Sequence, residues 1–188
     1  HPDHRFIGGG EESFGFMVGD FVRDKDASTS TLLICELAAY LKANGSTIYE
    51  KLLELYTEVG CYQEKLVALV KKGIQGAEEI RQKMEDLREN PLQEIDGEKV
   101  IKLEDYEKQV SFDIKNKQES AIKIPQSNVL IYHTASGTKV CARPSGTEPK
   151  IKFYISVNDK LENTANYEKV KDRLDKKVQR ITSELGIT

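Results

Sequence analysis

Two predicted strands are joined by the run Arg143-Pro144-Ser145-Gly146-Thr147-Glu148-Pro149-Lys150. The first of these strands covers residues 139–142. The second covers residues 150–157, where every second position is apolar: Ile151, Phe153, Ile155 and Val157. A period of two is typical of a strand with one buried face. The run is therefore predicted to be a loop held between two strands, and this strand pair decides the fold of the second half of the chain.

The composition of this loop predicts a phosphate site. Arg143 offers a planar fork of donors, Ser145 and Thr147 add hydroxyl groups, and Gly146 lets backbone N–H groups approach an anion closely. A plain hairpin turn would use the same proline, serine and glycine residues. The pattern alone leaves that alternative open.

A second motif lies near the start of the chain, in the run Gly10-Glu11-Glu12-Ser13-Phe14-Gly15. Its carboxylates can accept hydrogen bonds from sugar hydroxyls, its serine can donate and accept, and its glycines give a ligand access to the backbone. Two glutamates also suggest acid–base chemistry, but adjacent loop residues usually point apart, whereas sugar hydrolysis needs two carboxyls facing one bond. Recognition of hydroxyl groups is the favoured interpretation.

Together the two motifs resemble the α-D-phosphohexomutases, the phosphoglucomutase and phosphomannomutase family. The run from Arg143 to Lys150 resembles the phosphate-binding loop of the last domain in that family. The run from Gly10 to Gly15 resembles the sugar-binding loop of the third of four domains, and its form is more similar to phosphoglucomutases than to phosphomannomutases. The chain is thus identified as a C-terminal part of such an enzyme. Because Phe6-Ile7 resembles the end of a strand, we expect a piece of a longer protein.

The resemblance implies roles for particular residues. Glu11 and Ser13 would bind two neighbouring sugar hydroxyls, while Glu12 matches a variable position and receives no role. Phosphate would be bound by six residues: Lys25, Arg143, Ser145, Gly146, Thr147 and Lys152. The family has a basic residue, often arginine, on the strand after the loop. Lys152 is the candidate for that position, and Lys150 competes with it.

The resemblance also implies what the parent does and what this chain lacks. In the family, the phosphorylated serine lies in the first domain and the magnesium-binding aspartates lie in the second. We therefore expect no catalytic and no metal-binding residue here, and no activity of this chain alone. The parent would use Mg²⁺ to interconvert hexose 1- and 6-phosphates through a phosphoserine and glucose 1,6-bisphosphate, with glucose favoured and mannose or pentose phosphates left open.

Other function classes are considered alongside this one. A stand-alone phosphosugar-binding or regulatory module remains an alternative to a catalytic parent. Lys and Arg number 28 against 31 Asp and Glu, for a net charge of −3, so no nucleic-acid partner is expected. The partners implied are a hexose phosphate and the missing N-terminal domains of the same chain.

Cysteine use and hydropathy bear on the compartment. Three widely spaced cysteines predict reduced thiols, as in the cytoplasm. The sequence has no signal peptide and no apolar run near the roughly 20 residues of a membrane span, so no membrane association is expected.

The predicted fold class is α+β. Residues 1–74 are assigned to the tail of an α/β third domain, with a strand followed by two helices whose apolar stripes form core. Residues 75–188 are assigned to an α+β domain whose mainly antiparallel sheet is covered by helices on one face. Ser28 to Ser30 offer N-cap hydroxyls for the first helix, and Thr47 with Glu50 forms a capping box for the second.

Several segments are less regular. Residues 61–73 fit both a helix and a strand, and a strand is favoured. Helices are predicted at 77–89 and 167–185, and an exposed loop is predicted at 115–120. His133, in a predicted strand, is either a base near the phosphate loop or a packed, hydrogen-bonded histidine.

Overall fold

The computed structural model describes residues 4–11 and 14–187. The chain separates into two compact units between Leu55 and Tyr56. The sequence-based boundary at 74/75 lies later in the chain. The division in the structure falls earlier because residues 61–70 pair along their whole length with a strand of the second unit.

The first unit contains a short hairpin and helices. Strands β1 (Gly8–Gly10) and β2 (Phe16–Val18) pair antiparallel, and helices α1 (Ala27–Ala43) and α2 (Ile48–Val59) follow, with the unit boundary inside α2.

Both helices are capped at their N-termini by nearby residues in the sequence. The Asp26 carboxylate accepts hydrogen bonds from the N–H groups of Ser28 and Thr29, so Asp26 caps α1 and the predicted serine caps are wrong. A carboxylate one step before the first turn reaches these donors directly. The Thr47–Glu50 capping box is confirmed by reciprocal bonds of 3.1 and 2.8 Å.

The apolar stripes of α1 and α2 are exposed in this structure, and the prediction that they form core is wrong for this chain. Leu33 and Leu37 are each 42% exposed, and only Leu41 of α1 is buried. No residue of α2 is buried. A hairpin of two three-residue strands is too small to cover two apolar helix faces.

The second unit is built on one antiparallel sheet. Its strands follow the order β3-β10-β9-β8-β5-β6-β7, with the two-residue strand β4 paired to β5. The strand bounds are β3 Cys61–Val70, β4 Glu94–Ile95, β5 Glu98–Asp105, β6 Val110–Asp113, β7 Gln118–Ala121, β8 Leu130–Thr134, β9 Lys139–Pro144 and β10 Lys150–Asp159. The strand prediction for residues 61–70 is confirmed.

Two helices cover one face of this sheet. Helix α3 (Gly73–Glu89) packs on β9 and β10, and α4 (Tyr167–Glu184), after a short 3₁₀ turn, packs on β3 and β10. The four apolar residues of β10 are at most 1% exposed and meet buried residues of both helices, such as Met84 and Leu174. This alternation confirms the predicted α+β class, with helices on one sheet face.

Two details differ from the sequence expectations. Gly73 begins α3, four residues before the predicted start, and part of the predicted 115–120 loop forms the exposed edge strand β7. An edge strand with no buried residue carries no hydrophobic pattern, so composition alone favours a loop.

Among the described residues, no helix is both long and apolar enough to cross a membrane.

Candidate functional site

The loop between β9 and β10 is fixed at its base and open at its tip. The Ser145 N–H donates to the Lys150 carbonyl at 2.9 Å, and the Pro149 carbonyl accepts from the Lys71 N–H at 2.8 Å. At the tip, a Cβ on Gly146 would meet no atom within 4 Å. Among described residues, no protein group accepts from the Gly146 N–H. The loop therefore presents a backbone donor on a rigid base, as an anion site requires.

Arg143 and Lys152 stand directly opposite each other on β9 and β10. Like charges in directly opposed cross-strand positions repel each other. In the part of the chain that the structure describes, neither side chain has an ion-pair partner within 4 Å. The sheet thus holds two cations side by side for which no direct ion pair is found among the described residues, an arrangement that a bound anion would stabilise.

A cavity of about 190 Å³ lies against these residues. It is lined by Arg143, Pro144, Ser145, Gly146, Lys150 and Lys152. Four of the predicted phosphate ligands therefore come together on one concave surface. Lys150, the competing candidate, lines the same cavity, so both lysines lie at the candidate phosphate site.

Thr147 does not line this cavity. It borders a larger cavity of about 370 Å³ between the loop and α3, whose wall includes Ile80 and Met84. Its N–H group points to the Ser145 hydroxyl at a long 3.4 Å. Of the predicted loop ligands, Thr147 is the one that the structure does not place on the smaller cavity.

In the first unit, Glu11, Phe14 and Gly15 lie between β1 and β2. The Glu11 N–H donates to the Gly15 carbonyl at 2.9 Å, and the Phe14 N–H donates to the Glu11 carbonyl at 3.2 Å. Lys25 lies beside this segment, with its Nζ 2.9 Å from the Asp24 carboxylate and 3.7 Å from that of Glu11. The predicted residues Glu11 and Lys25 are thus neighbours, while Ser13 lies outside the described residues.

Gly15 makes this neighbourhood compact. A Cβ at this position would collide with the Glu11 carboxylate and with the side-chain stem of Lys25. The hydrogen bond to Asp24, followed by the charges of Asp24 and Glu11, raises the pKa of Lys25 above its usual value. The hairpin therefore places a full positive charge next to a carboxylate, a combination able to bind hydroxyl and phosphate groups.

His133 is hydrogen-bonded within the sheet. Its Nε2 lies 3.0 Å from Oε2 of Glu104, on the adjacent strand β5. Burial opposes ionisation of Glu104, but hydrogen bonds from Lys102 and His133 outweigh it and lower the pKa of that carboxyl. The geometry matches the packed, hydrogen-bonded alternative, and we assign His133 no role in binding.

The described residues contain no group of three or more His, Cys, Asp or Glu side chains that could hold a metal ion.

Sequence comparison gives two findings. A family profile described as phosphoglucomutase/phosphomannomutase, alpha/beta/alpha domain III, matches residues 2–56. A phosphoglucomutase of Staphylococcus haemolyticus is 43% identical over 148 residues, which are 79% of this chain and 27% of that protein. One of Staphylococcus epidermidis is 39% identical over 157 residues, 84% of this chain and 29% of that protein. The chain spans less than a third of the length of these curated relatives.

A solved structure is similar in fold. It is the exocytosis-sensitive phosphoprotein parafusin, a phosphoglucomutase from Paramecium, in its open form. The TM-score is 0.53 at 18% identity, and the match covers 91% of this chain and 30% of that one. At this identity the likeness concerns the fold alone.

Proposed function

This chain belongs to the phosphoglucomutase and phosphomannomutase family, and from this premise we propose that it is the substrate-holding part of a phosphoglucomutase. Its second unit binds the phosphate group that is not being transferred, through Arg143, Lys152 and the loop from Ser145 to Thr147. Its first unit supplies Glu11 and Ser13 for sugar hydroxyls and Lys25 for phosphate.

One observation carries this proposal. Arg143 and Lys152 face each other across two strands without an acidic partner among the described residues, beside a cavity and an unpaired loop N–H group. A protein tolerates such a local conflict where function needs it. A phosphate dianion would relieve the repulsion and accept hydrogen bonds from the arginine, the hydroxyl and the backbone.

The chemistry of the parent follows as part of the same proposal. A phosphoserine outside this chain transfers its phosphoryl group to a hexose phosphate, and the resulting glucose 1,6-bisphosphate returns its other phosphate to the serine. Mg²⁺ supplies electrostatic stabilisation of that transfer. This chain orients the substrate, because it binds the sugar and the phosphate that is not transferred, while the phosphoryl transfer takes place at residues outside this chain.

The Arg143→Ala substitution in the full-length parent tests the phosphate assignment. Hydrogen bonds to charged groups contribute about 1.5–3 kcal/mol each, so we expect KM for glucose 1-phosphate to rise by roughly 10- to 100-fold. The value of kcat should change less, because this contact binds the ground state and the transition state alike.

Arg173→Ala provides a matched control. Arg173 is an exposed arginine of α4 that pairs with Asp159 at 2.6 Å. Kinetics of Arg143→Ala that are indistinguishable from those of Arg173→Ala would remove the assignment.

The choice of sugar rests on the phosphoglucomutase relatives and on the Glu-Glu-Ser-Phe form of the hairpin loop. The parent should therefore show a higher kcat/KM with glucose 1-phosphate than with mannose 1-phosphate or ribose 1-phosphate. A preference for one of the latter would move the assignment to a phosphomannomutase or a phosphopentomutase. Binding of sugar phosphates by a natural protein that has no mutase activity would instead favour the stand-alone module.

A further inference from the structure

Lys150 lines the phosphate cavity, but its charge is already engaged. Its ammonium group forms an ion pair with the carboxylate of Glu148, two residues earlier in the loop. Arg143 and Lys152 line the same cavity and have no such partner in the described part of the chain. The cavity therefore contains three cations, one of which is neutralised by a carboxylate from the loop itself.

We propose that Glu148 is an internal counter-ion of the phosphate site, which holds Lys150 until a phosphate dianion takes its place. Lys150 then becomes a third cationic ligand beside Arg143 and Lys152. The inference rests on the proposed function, because it concerns the same loop, and it adds a residue that tunes the affinity of that loop.

The relative strengths of the two interactions favour this exchange. The side chain of Glu148 is 60% exposed and that of Lys150 is 26% exposed, so solvent screens the pair on its acidic side, and solvent-screened ion pairs are weak. A phosphate dianion carries about twice the charge of a carboxylate. It would also interact with Arg143 and Lys152, for which no ion pair within 4 Å is found among the described residues. The phosphate dianion should therefore displace the Glu148 carboxylate from Lys150.

The electrostatics around Glu148 agree with this role. The hydrogen bond from Lys150, then the charge of Lys150 and that of Lys152, lower the pKa of the Glu148 carboxyl. Glu148 thus interacts with both lysines of the cavity. Its negative charge opposes the approach of a second anion for as long as it stays there.

Open space beside the loop can accept the displaced Glu148 side chain. Glu148 borders the cavity of about 370 Å³ between the loop and α3, which Arg143 does not line, and Glu148 does not line the smaller phosphate cavity. The backbone around it is held, because the Glu148 carbonyl accepts from the Lys150 N–H at 2.7 Å and Pro149 is bound by Lys71. Rotation of one side chain is therefore enough for the exchange.

A titration with inorganic phosphate tests the proposal. Amide shifts of Gly146 and Thr147 are followed at constant ionic strength and at about pH 8, where phosphate is a dianion. The proteins are the wild-type chain, Glu148→Gln, Lys150→Gln, the double variant and Arg143→Gln. Glu162→Gln is the control, since Glu162 is an exposed carboxylate that pairs with Lys160 outside the loop.

We expect Glu148→Gln to lower the phosphate Kd by about two- to five-fold, the range set by the strength of an exposed ion pair. Lys150→Gln should raise Kd. In the Lys150→Gln background, the effect of Glu148→Gln should become clearly smaller, because the competitor has lost the cation it pairs with and only its longer-range interaction with Lys152 remains.

The opposite outcomes are distinct. An unchanged or higher Kd in Glu148→Gln would show that the pair only stabilises the turn. An equal gain with and without Lys150 would show that Glu148 acts as a general charge, and would overturn the exchange. In both cases, loss of binding in Arg143→Gln would leave the proposed phosphate site intact. Absence of binding in the wild type and in Glu148→Gln alike would overturn both proposals.

Discussion

In the second unit, the role of a charged residue depends on the groups that pair with it. Arg143 and Lys152 have no acidic partner among the described residues, whereas Glu98 has several donors. The Glu98 carboxylate accepts from Thr134 at 2.8 Å, from Lys177 at 2.8 Å and from the Ser136 hydroxyl. Glu98 thus ties β5 to the β8–β9 turn and to α4. Because this turn lies at the other end of β9 from Arg143, we interpret the Glu98 cluster as structural.

Glu98 gives a pH-dependent prediction for stability. Burial opposes its ionisation, but the bonds from Lys177, Ser136 and Thr134 outweigh burial and lower the pKa of Glu98 from 4.5 to about 2. A folded-state pKa below the unfolded value contributes stability above pH 4.5, and that stability is lost as the pH falls toward 2. Allowing for solvent screening of a partly exposed group, the contribution should be about 1–2 kcal/mol.

Urea unfolding of the wild type and of Glu98→Gln at several pH values measures this contribution. The difference between their free energies of unfolding should be constant above about pH 5 and should shrink between pH 4.5 and 2. A difference between wild type and Glu98→Gln that does not vary with pH would contradict the assigned ion pair.

The sequence predicts some residue roles better than others. Arg143 and the loop hydroxyls are found because the residue types are those that bind phosphate, and they follow one another in the chain. The pairing of Lys150 with Glu148 depends on side-chain rotamers, which no sequence pattern fixes. The capping role of Asp26 was missed because three hydroxyl residues follow it and fit the same preference.

At the scale of elements, the β1–β2 hairpin brings Gly15 close to Glu11 and Lys25, two residues of the proposed substrate site. Gly15→Ala adds a methyl group where Glu11 and Lys25 already approach the backbone. We expect both side chains to be displaced and kcat/KM of the parent for glucose 1-phosphate to fall about 10-fold or more, since each lost charged hydrogen bond costs about 1.5–3 kcal/mol.

The hairpin contains its own control. A Cβ at Gly9 would meet its nearest atoms, on the Phe6 ring, at 3.4 and 3.6 Å. Gly9→Ala should therefore leave kcat/KM close to the wild-type value. Equal kinetics of the two variants would show that the contacts of Gly15 do not serve the substrate.

Elements with a strong period were predicted directly. The strand β3 was also predicted, but its pairing partner was not. The strand β10 and helix α4 show clear periods of 2 and 3.6, and both lie in the structure where the sequence places them. The segment of β3 fitted two periods, and its place in the second unit depends on pairing with β10, about 90 residues later. The edge strand β7 has no buried face and hence no pattern to detect.

At the scale of the whole molecule, the two units differ in how completely they bury their apolar residues. The second unit has a continuous core between its sheet and α3 and α4. The first leaves most apolar residues of α1 and α2 exposed. Both sequence relatives are more than three times as long as the segment they share with this chain. The sequence predicted these stripes as core because a period shows that a face is apolar, but not whether the covering layer is present.

The most direct test of the central claim is an NMR titration of this chain with glucose 1-phosphate, in the wild type and in Arg143→Gln. We expect saturable shifts at the amides of Arg143, Ser145, Gly146, Thr147 and Lys152 in the wild type. Affinity should be at least about 10-fold lower in Arg143→Gln, as expected for one lost charge-assisted contact. Shifts confined to residues outside this loop, or the same Kd in both proteins, would contradict the account.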